Sequence, residues 1–412
     1  MSAQDDWLPI KKPDSLAELH QVFSRWLHLP DPGIVTLTCG AVAANRMEGD
    51  PVWPLLIGPP SSGKTEILDS LLDLPNMHPA GVLSEAGLLS GSPKRERAQD
   101  ASGGLLRAMG SLGIVIAKDF TSVLSMSREV RTPLLAALRE VYDGAWTRHV
   151  GTDGGRTISW RGKCALIGGC TPIIDQHHAV MAAMGERFLL CRLLNVKPRF
   201  QARRALLHVG KEAIMRRELR DAVSKLFAGF APRSFALDEA ASERLSALAT
   251  LVAHCRSAVE RDSYRREVEL IPGSELPARL VLSLARLLHG MRMLGAPETE
   301  CWRLVIAVGL DCIPDVRRRV FDLLRPRDKA STTTEVSLGI DYPTTTTRRA
   351  LEDLAAHRVV SRYAPGTGRA DQWGISQFAN ELLAAAQVPN ASVPGKSEGD
   401  EKEGVPEKSE GE

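Results

Sequence analysis

Gly58-Pro59-Pro60-Ser61-Ser62-Gly63-Lys64-Thr65 fits G-x-x-x-x-G-K-[ST] at every position. Upstream, Trp53 to Ile57 is a short apolar run suited to a buried strand, and downstream Thr65 to Leu74 takes up helical spacing. Strand, loop, helix is the context in which this spacing has a mechanism. The glycines let the backbone close around phosphates, loop N–H groups supply partial positive charge, Lys64 reaches the β- and γ-phosphates, and the Thr65 hydroxyl ligates Mg²⁺. The bland alternative is a Gly/Pro loop that happens to precede a helix. The motif makes Gly58, Pro59, Pro60, Ser61, Ser62, Gly63, Lys64 and Thr65 the expected nucleotide-binding set.

Hydrolysis also needs an acid at the end of a second buried strand. Leu112 to Ala117 supplies the strand and Lys118-Asp119-Phe120 its end, with one carboxylate where two adjacent acids are usual. Asp119 either holds Mg²⁺ through water, with a base elsewhere, or occupies the second acidic position with Lys118 in the first. As a third choice it merely caps the Thr121-Ser122 turn. ATP and Mg²⁺ are the expected cofactors, with Thr65 and Asp119 as metal ligands. Further along, Pro133 to Tyr142 has a helical apolar face. Trp146 to Val150 and Arg156 to Trp160 form a hairpin pattern, and Cys164 to Ile167 is a third buried strand running into Gly168-Gly169-Cys170-Thr171-Pro172. Strands alternating with helices predict a mainly parallel sheet in an α/β layer fold.

This order of motifs, continued by Leu138-Arg139-Glu140-Val141-Tyr142-Asp143-Gly144 and Gly185-Glu186-Arg187-Phe188, resembles the AAA+ ATPases. It is most similar to the branch with a hairpin before the sensor-1 strand, which contains the minichromosome-maintenance helicases and phage or mobile-element replication ATPases. The resemblance spans roughly Val52 to Leu294 and rests on motif order. It implies a P-loop three-layer core with a helical lid, and places sensor 1 at Thr171, an arginine finger acting on a neighbour's nucleotide at Arg187, and sensor 2 at Arg279. Catalytic residues on this reading are Lys64, Asp119, Thr171 and Arg187, with Arg279 joining the nucleotide-binding set. Bland readings stand beside these: a turn-closing Thr before Pro172, an ion-paired Arg187, a solvated helix face for Arg279 with Arg286 and Arg292 close by, and Arg192 as a competing finger. Glu140 is an ordinary helix-surface residue or a supplementary carboxylate. A finger in trans makes a homo-oligomer, a hexameric ring in this branch, part of the mechanism.

In such helicases the hairpin touches nucleic acid inside a central pore. Here it carries Arg148, His149, Arg156 and Arg161 with Trp146 and Trp160, so an exposed, salt-sensitive DNA ribbon is expected. A solvated hairpin is the alternative. His177-His178 carries no metal reading, because adjacent helical residues diverge and no ligand set surrounds them.

The chain divides into an N-terminal helical segment (1–30, with Ser15 to Leu29 helical), an ATPase core (31–235), a helical lid (236–312) and a C-terminal unit (313–387). In the last, Thr332 to Leu338 and Thr344 to Ala356 are helices, and Val359 to Tyr363 and Gln372 to Ile375 are strands. That is a winged helix-turn-helix pattern. Its recognition helix, with Pro343 at the first helical position, offers Thr345, Thr346, Arg348 and Arg349, and its wing Arg369, for DNA contacts. Winged helices also dock proteins.

The 412 residues are 43% hydrophobic and 25% charged, with formal net charge +2. From Val388 onward, seven acids against three lysines give a −4 acidic tail, expected to be disordered, and leave +6 for the rest. No apolar run matches a membrane span or signal peptide, and the seven cysteines lack CxxC spacing, so the expectation is cytoplasmic, without disulfides or membrane. The function expected is ATP-dependent DNA remodelling or unwinding, in phage or mobile-element replication. The alternatives are a nucleotide-switched DNA-binding transcriptional or defence regulator, and a motor subunit whose winged helix binds a protein partner.

Overall fold

The computed structural model describes residues 14–92, 103–151, 154–177, 184–185, 187–193, 197–234, 236–262, 264, 267–327, 329–364, 366 and 369–389. His178, Glu186 and the acidic tail beyond Pro389 lie outside them.

Up to residue 192 the elements are α1 (Asp14–Trp26), α2 (Gly33–Asn45), β1 (Trp53–Ile57), α3 (Lys64–Asp69), β2 (Met77–Ala80), α4 (Glu85–Leu88), α5 (Leu105–Met109), β3 (Leu112–Ala117), α6 (Thr121–Leu124), α7 (Arg128–Tyr142), β4 (Ala145–Val150), β5 (Arg156–Arg161), β6 (Lys163–Cys170) and β7 (Phe188–Arg192). Five strands form one parallel sheet in the order β2-β3-β6-β1-β7. All five residues of β1 are buried. Alternate strand residues face opposite sides, so both faces of the sheet are covered, as a parallel sheet requires. Trp53 anchors the lower edge: its indole N–H donates to Cys164 O at 2.9 Å and its ring meets Tyr142 edge-on at 5.1 Å. At the upper edge Ile57 pairs with Cys170 and Ala117 with Gly168, so the loops after β1, β3 and β6 emerge together.

Next come α8 (Pro198–Leu207), α9 (Glu212–Phe227), α10 (Glu239–Arg256), β8 (Glu260–Arg261), β9 (Val268–Leu270), α11 (Ala278–Met293) and α12 (Glu298–Asp311). The β8–β9 hairpin interrupts a stretch the sequence presents as almost wholly helical. Helix α2 is buried on every side, which is why it shows no amphipathic period. It lies against α11 at two facing glycines, Gly40 and Gly290. A Cβ on Gly290 would stand 2.1 Å from Gly40 O.

The C-terminal unit comprises α13 (Asp315–Leu324), β10 (Ser331–Thr332), α14 (Thr333–Ile340), α15 (Thr344–Ala356), β11 (Val360–Tyr363), β12 (Gln372–Ile375) and α16 (Gln377–Ala385). The strands form a small antiparallel sheet, β10-β12-β11, over buried Trp373. Thr332 opens α14 with a capping box closed by Glu335. Pro343 is the N-cap of α15, one position earlier than its sequence assignment. Among the described residues no helix is long and apolar enough to cross a membrane, and all seven cysteines are free and buried.

Gly290→Ala tests the α2–α11 contact. Overpacking against a backbone carbonyl should cost about 1–3 kcal/mol, read as a lower urea midpoint with an unchanged m-value.

Candidate functional site

The loop after β1 is closed by Lys64. Its ammonium donates to Gly58 O at 2.8 Å, Pro59 O at 2.7 Å and the Ser62 hydroxyl at 3.1 Å, and the side chain is buried. Burial lowers its pKa, opposed by the fields of Cys170 and Asp119. Gly63 (φ 89) and Ser61 (φ 63) take left-handed backbone conformations that turn the loop. Thr65 and Asp119 are exposed at the upper edge.

Beside the loop, the ends of β3 and β6 are stitched together. Phe120 N–H donates to Gly169 O at 2.7 Å, and Thr171 N–H donates to the Thr121 hydroxyl at 3.0 Å. Thr121 also faces the Thr171 hydroxyl at 3.4 Å. Because β6 lies between β1 and β3, Thr171 stands between the Lys64 loop and Asp119. Asp119 Oδ1 accepts from Thr121 N–H at 3.0 Å, so it does cap its turn, and among the described residues its other oxygen accepts no protein hydrogen bond. Lys118 turns away to pair with Asp69 of α3. Among the described residues no three His, Cys, Asp or Glu side chains cluster to hold a metal. One carboxylate and one hydroxyl fit Mg²⁺ brought in on a nucleotide's phosphates, since that ion is usually shared between one or two protein oxygens, phosphates and water.

Arg187 and Arg279 lie elsewhere. Arg187 directly precedes Phe188, which pairs with Trp53 at the lower edge of the sheet. The five residues of β1 therefore separate it from Gly58, by roughly 16 Å at about 3.3 Å per residue. It is buried, donating to Asp143 Oδ2 at 2.7 Å and Met184 O at 2.6 Å, with its guanidinium over the Tyr142 ring. Arg279 joins it: a Cβ on Gly185 would stand 3.5 Å from Arg187 Nη1 and 3.6 Å from Arg279 Nη1. Both line an open cleft of about 660 Å³ with Glu85, Glu140 and Trp146. The structure thus brings the two arginines together, away from their own Lys64.

Arg192, at the upper end of β7, is locked in place. Its guanidinium grips Asp175 with two bonds, 2.8 and 2.7 Å, and its backbone N–H donates to Asp311 Oδ2 at 2.8 Å. Burial works against its charge, but the bonds to Asp175 and the fields of Asp175, Asp311 and Asp315 outweigh it and raise its pKa. Burial pushes Asp311 up to about 6. No sequence motif marks this cluster, because Asp175 lies 17 residues and Asp311 119 residues from Arg192. Beside it lies a cavity of about 250 Å³, lined by apolar Leu29, Ile34, Leu37, Leu193 and Val308 and by charged Asp31, Arg303 and Arg318 together with Arg192 and Asp311. It adjoins the loop, since Leu193 lies against Gly58 and Leu29 against Gly63.

The β4–β5 hairpin has a buried inner face and an exposed outer one. Trp146 and Trp160, expected on an exposed ribbon, are buried, and the Trp160 N–H donates to Gly110 O at 2.7 Å. Arg148 and Arg156 share that inner face: Arg148 binds Glu85 and Leu89 O, both at 2.9 Å, and Arg156 binds Ser92 O at 2.5 Å. Of the three hairpin arginines assigned to DNA, Arg161 is the exposed one and Arg148 and Arg156 are half-buried. In the C-terminal unit Thr345, Arg348, Arg349 and Arg369 are exposed, and Thr346 is half-buried. Arg348 pairs with Glu352 at 3.0 Å. α15 and its C-cap His357 are also bolted to the preceding elements α10, β8 and α13. Arg261 reaches Glu352 at 2.9 Å, Arg317 reaches Asp353 at 2.9 Å, and His254 contacts His357 O at 2.9 Å.

Replacing Arg192 by Met should leave the half-buried Asp175 without its cation and cost about 1–3 kcal/mol, measured by urea unfolding. A variant as stable as wild type would return Arg192 to the list of fingers.

No family model matches the chain, and no curated protein matches it. Among solved structures, two apo A-form structures of the NrS-1 C-terminal region match with 11% and 12% sequence identity and a TM-score of 0.28 each. The matches cover 89% of this chain and 77% and 76% of those chains. A likeness that weak assigns neither fold nor activity.

Proposed function

We propose that the protein is an ATP-hydrolysing AAA+-type assembly, with a P-loop core, helical lid and C-terminal winged helix, that remodels or unwinds DNA. Phage or mobile-element replication is its most specific form. The observation that carries this reading is the meeting of Lys64, Thr65, Asp119 and Thr171 at one edge of the parallel sheet.

On this reading Lys64 exchanges the loop carbonyls for β- and γ-phosphate oxygens, and the Leu29–Leu193 cavity receives the base. Thr65 and Asp119 would hold Mg²⁺, which would supply charge neutralisation on the phosphates. Thr171, aligned by Thr121, orients the γ-phosphate or the attacking water. Arg187 and Arg279 stand about one strand length from their own site, so they act on a neighbour's nucleotide. DNA is taken by the exposed face of α15, by Arg369 in the wing, and by Arg161. The exposed Arg348–Glu352 pair is cheap to trade for a phosphate contact.

One observation favours a second reading, a nucleotide-switched regulator with slow turnover. Lys118 occupies the place of an acid, and Asp119 is partly engaged by Thr121.

Lys64→Ala should abolish phosphate release from Mg-ATP while leaving DNA affinity unchanged; turnover at the wild-type rate would overturn the ATPase assignment. Arg187→Ala should lower turnover by about 10³. Mixing it with Lys64→Ala protein should restore part of the activity, because intact fingers then meet intact loops. If DNA is the substrate, it should stimulate hydrolysis, and binding should weaken steeply between 50 and 200 mM salt.

A further inference from the structure

Asp175 lies in the 3-10 turn Pro172–His177, which follows Thr171 directly and hangs on it through the bond from Ile174 N–H to Thr171 O at 3.2 Å. Arg192 grips both oxygens of Asp175, and Oδ1 also accepts from the Asp315 N–H at 3.3 Å. Asp315 opens α13, the first helix of the C-terminal unit. Its own Oδ2 accepts from the Tyr342 hydroxyl at 3.2 Å and from Arg319 Nε at 2.8 Å. Tyr342 stands immediately before Pro343, the N-cap of α15, and is held there by the Ser337 hydroxyl, which donates to Tyr342 O at 2.7 Å. A continuous run of bonds thus leads from Thr171, at the phosphate edge of the sheet, to the start of the helix that carries Thr345, Arg348 and Arg349.

We infer that Asp175, Asp315 and Tyr342 are positioning residues that transmit nucleotide occupancy at Thr171 to α15, so that affinity for DNA depends on the nucleotide. The inference rests on the ATPase and DNA readings above and names the residues that join them. A ligand shifts an equilibrium only through contacts that differ between two states, and Thr171 offers such a contact. Its hydroxyl faces Thr121 at 3.4 Å, and on the ATPase reading it leaves that partner for the γ-phosphate or the attacking water. The 3-10 turn is the next piece of chain, so a shift of Thr171 bears on Asp175 and through it on the Asp315 N–H. Asp175, Asp315 and Tyr342 are each half-buried, which limits the competition of water for these bonds. The two ends of α15 are also fastened differently. Arg261 and Arg317 grip Glu352 and Asp353 in its second half, from the lid and from α13. Its first turn, where the candidate DNA contacts lie, follows Tyr342, whose hydroxyl is tied through Asp315 to the core.

The test is the affinity of fluorescein-labelled DNA, single- and double-stranded, with and without Mg²⁺ and a non-hydrolysable ATP analogue at one fixed salt concentration. In wild type the analogue should change that affinity by about fivefold or more. Tyr342→Phe, which removes one hydroxyl, and Asp315→Ala, which removes its acceptor, should each bring the change to within about twofold while analogue binding without DNA keeps its wild-type affinity. Coupling is reciprocal, so the effect of DNA on analogue binding should shrink by the same factor in each variant, a result that lost stability alone would not give. Arg317→Ala is the contrast, because it frees the second half of α15 from Asp353 and leaves the Asp175 route intact; it should keep the wild-type change. Coupling that survives both Tyr342→Phe and Asp315→Ala overturns the inference, and its loss in Arg317→Ala alone would move the route to the lid. A wild type that binds both ligands without coupling sinks the inference and spares the ATPase reading. A wild type that binds no nucleotide sinks both.

Discussion

Everything at the candidate site depends on the insertion of β6 between β1 and β3. Parallel strands joined in register end at a common edge, so Ile57, Ala117 and Cys170 deliver three loops to one place. Lys64, Asp119 and Thr171 sit where they do because the backbone ladder puts them there, and the Thr121–Thr171 and Phe120–Gly169 bonds hold the last residues of that ladder. The opposite edge is fixed by the same ladder. Trp53 pairs with Phe188 there, which brings Arg187 against Tyr142 and Asp143. One sheet therefore sets both the gathering of one group of residues and its separation from the other.

On the proposed reading, that separation gives assembly a physical reason. A protomer carries its phosphate loop on one edge and Arg187 and Arg279 on the other, with Arg187 ion-paired to Asp143, and neither edge can move to the other without breaking the sheet. Arg192, the arginine near its own loop, is spent on Asp175 and Asp311. On the proposed reading the charge needed late in phosphoryl transfer comes from a neighbour, so assembly and turnover are one process.

Much of the sheet was legible in the sequence, because β1, β3 and β6 are apolar runs of strand length and α7 and α11 have clear helical faces. The loop was legible because its chemistry is local. Other features were hidden for stated reasons. α2 is buried all round and shows no period. β2 contains His78 and Pro79, which obscure its pattern. β7 is a five-residue strand directly after Arg187, with no turn signal or alternation in the sequence to mark it. The burial of Trp146 and Trp160 depends on which hairpin face meets α4 and α5, and alternation alone leaves that sign open. The Arg192 cluster and the bolts from Arg261 and Arg317 to α15 join residues 17 to 119 positions apart on different elements, where no local motif marks them.

The central claim is hydrolysis completed by a second copy, and specific ATPase activity measured against protein concentration tests it most directly. The account predicts negligible activity per molecule at low concentration, a steep rise as the protein assembles, and a plateau once assembly is complete. Activity per molecule independent of concentration across the range in which sedimentation shows monomer turning into oligomer would contradict it, as would an assembled protein that releases no phosphate.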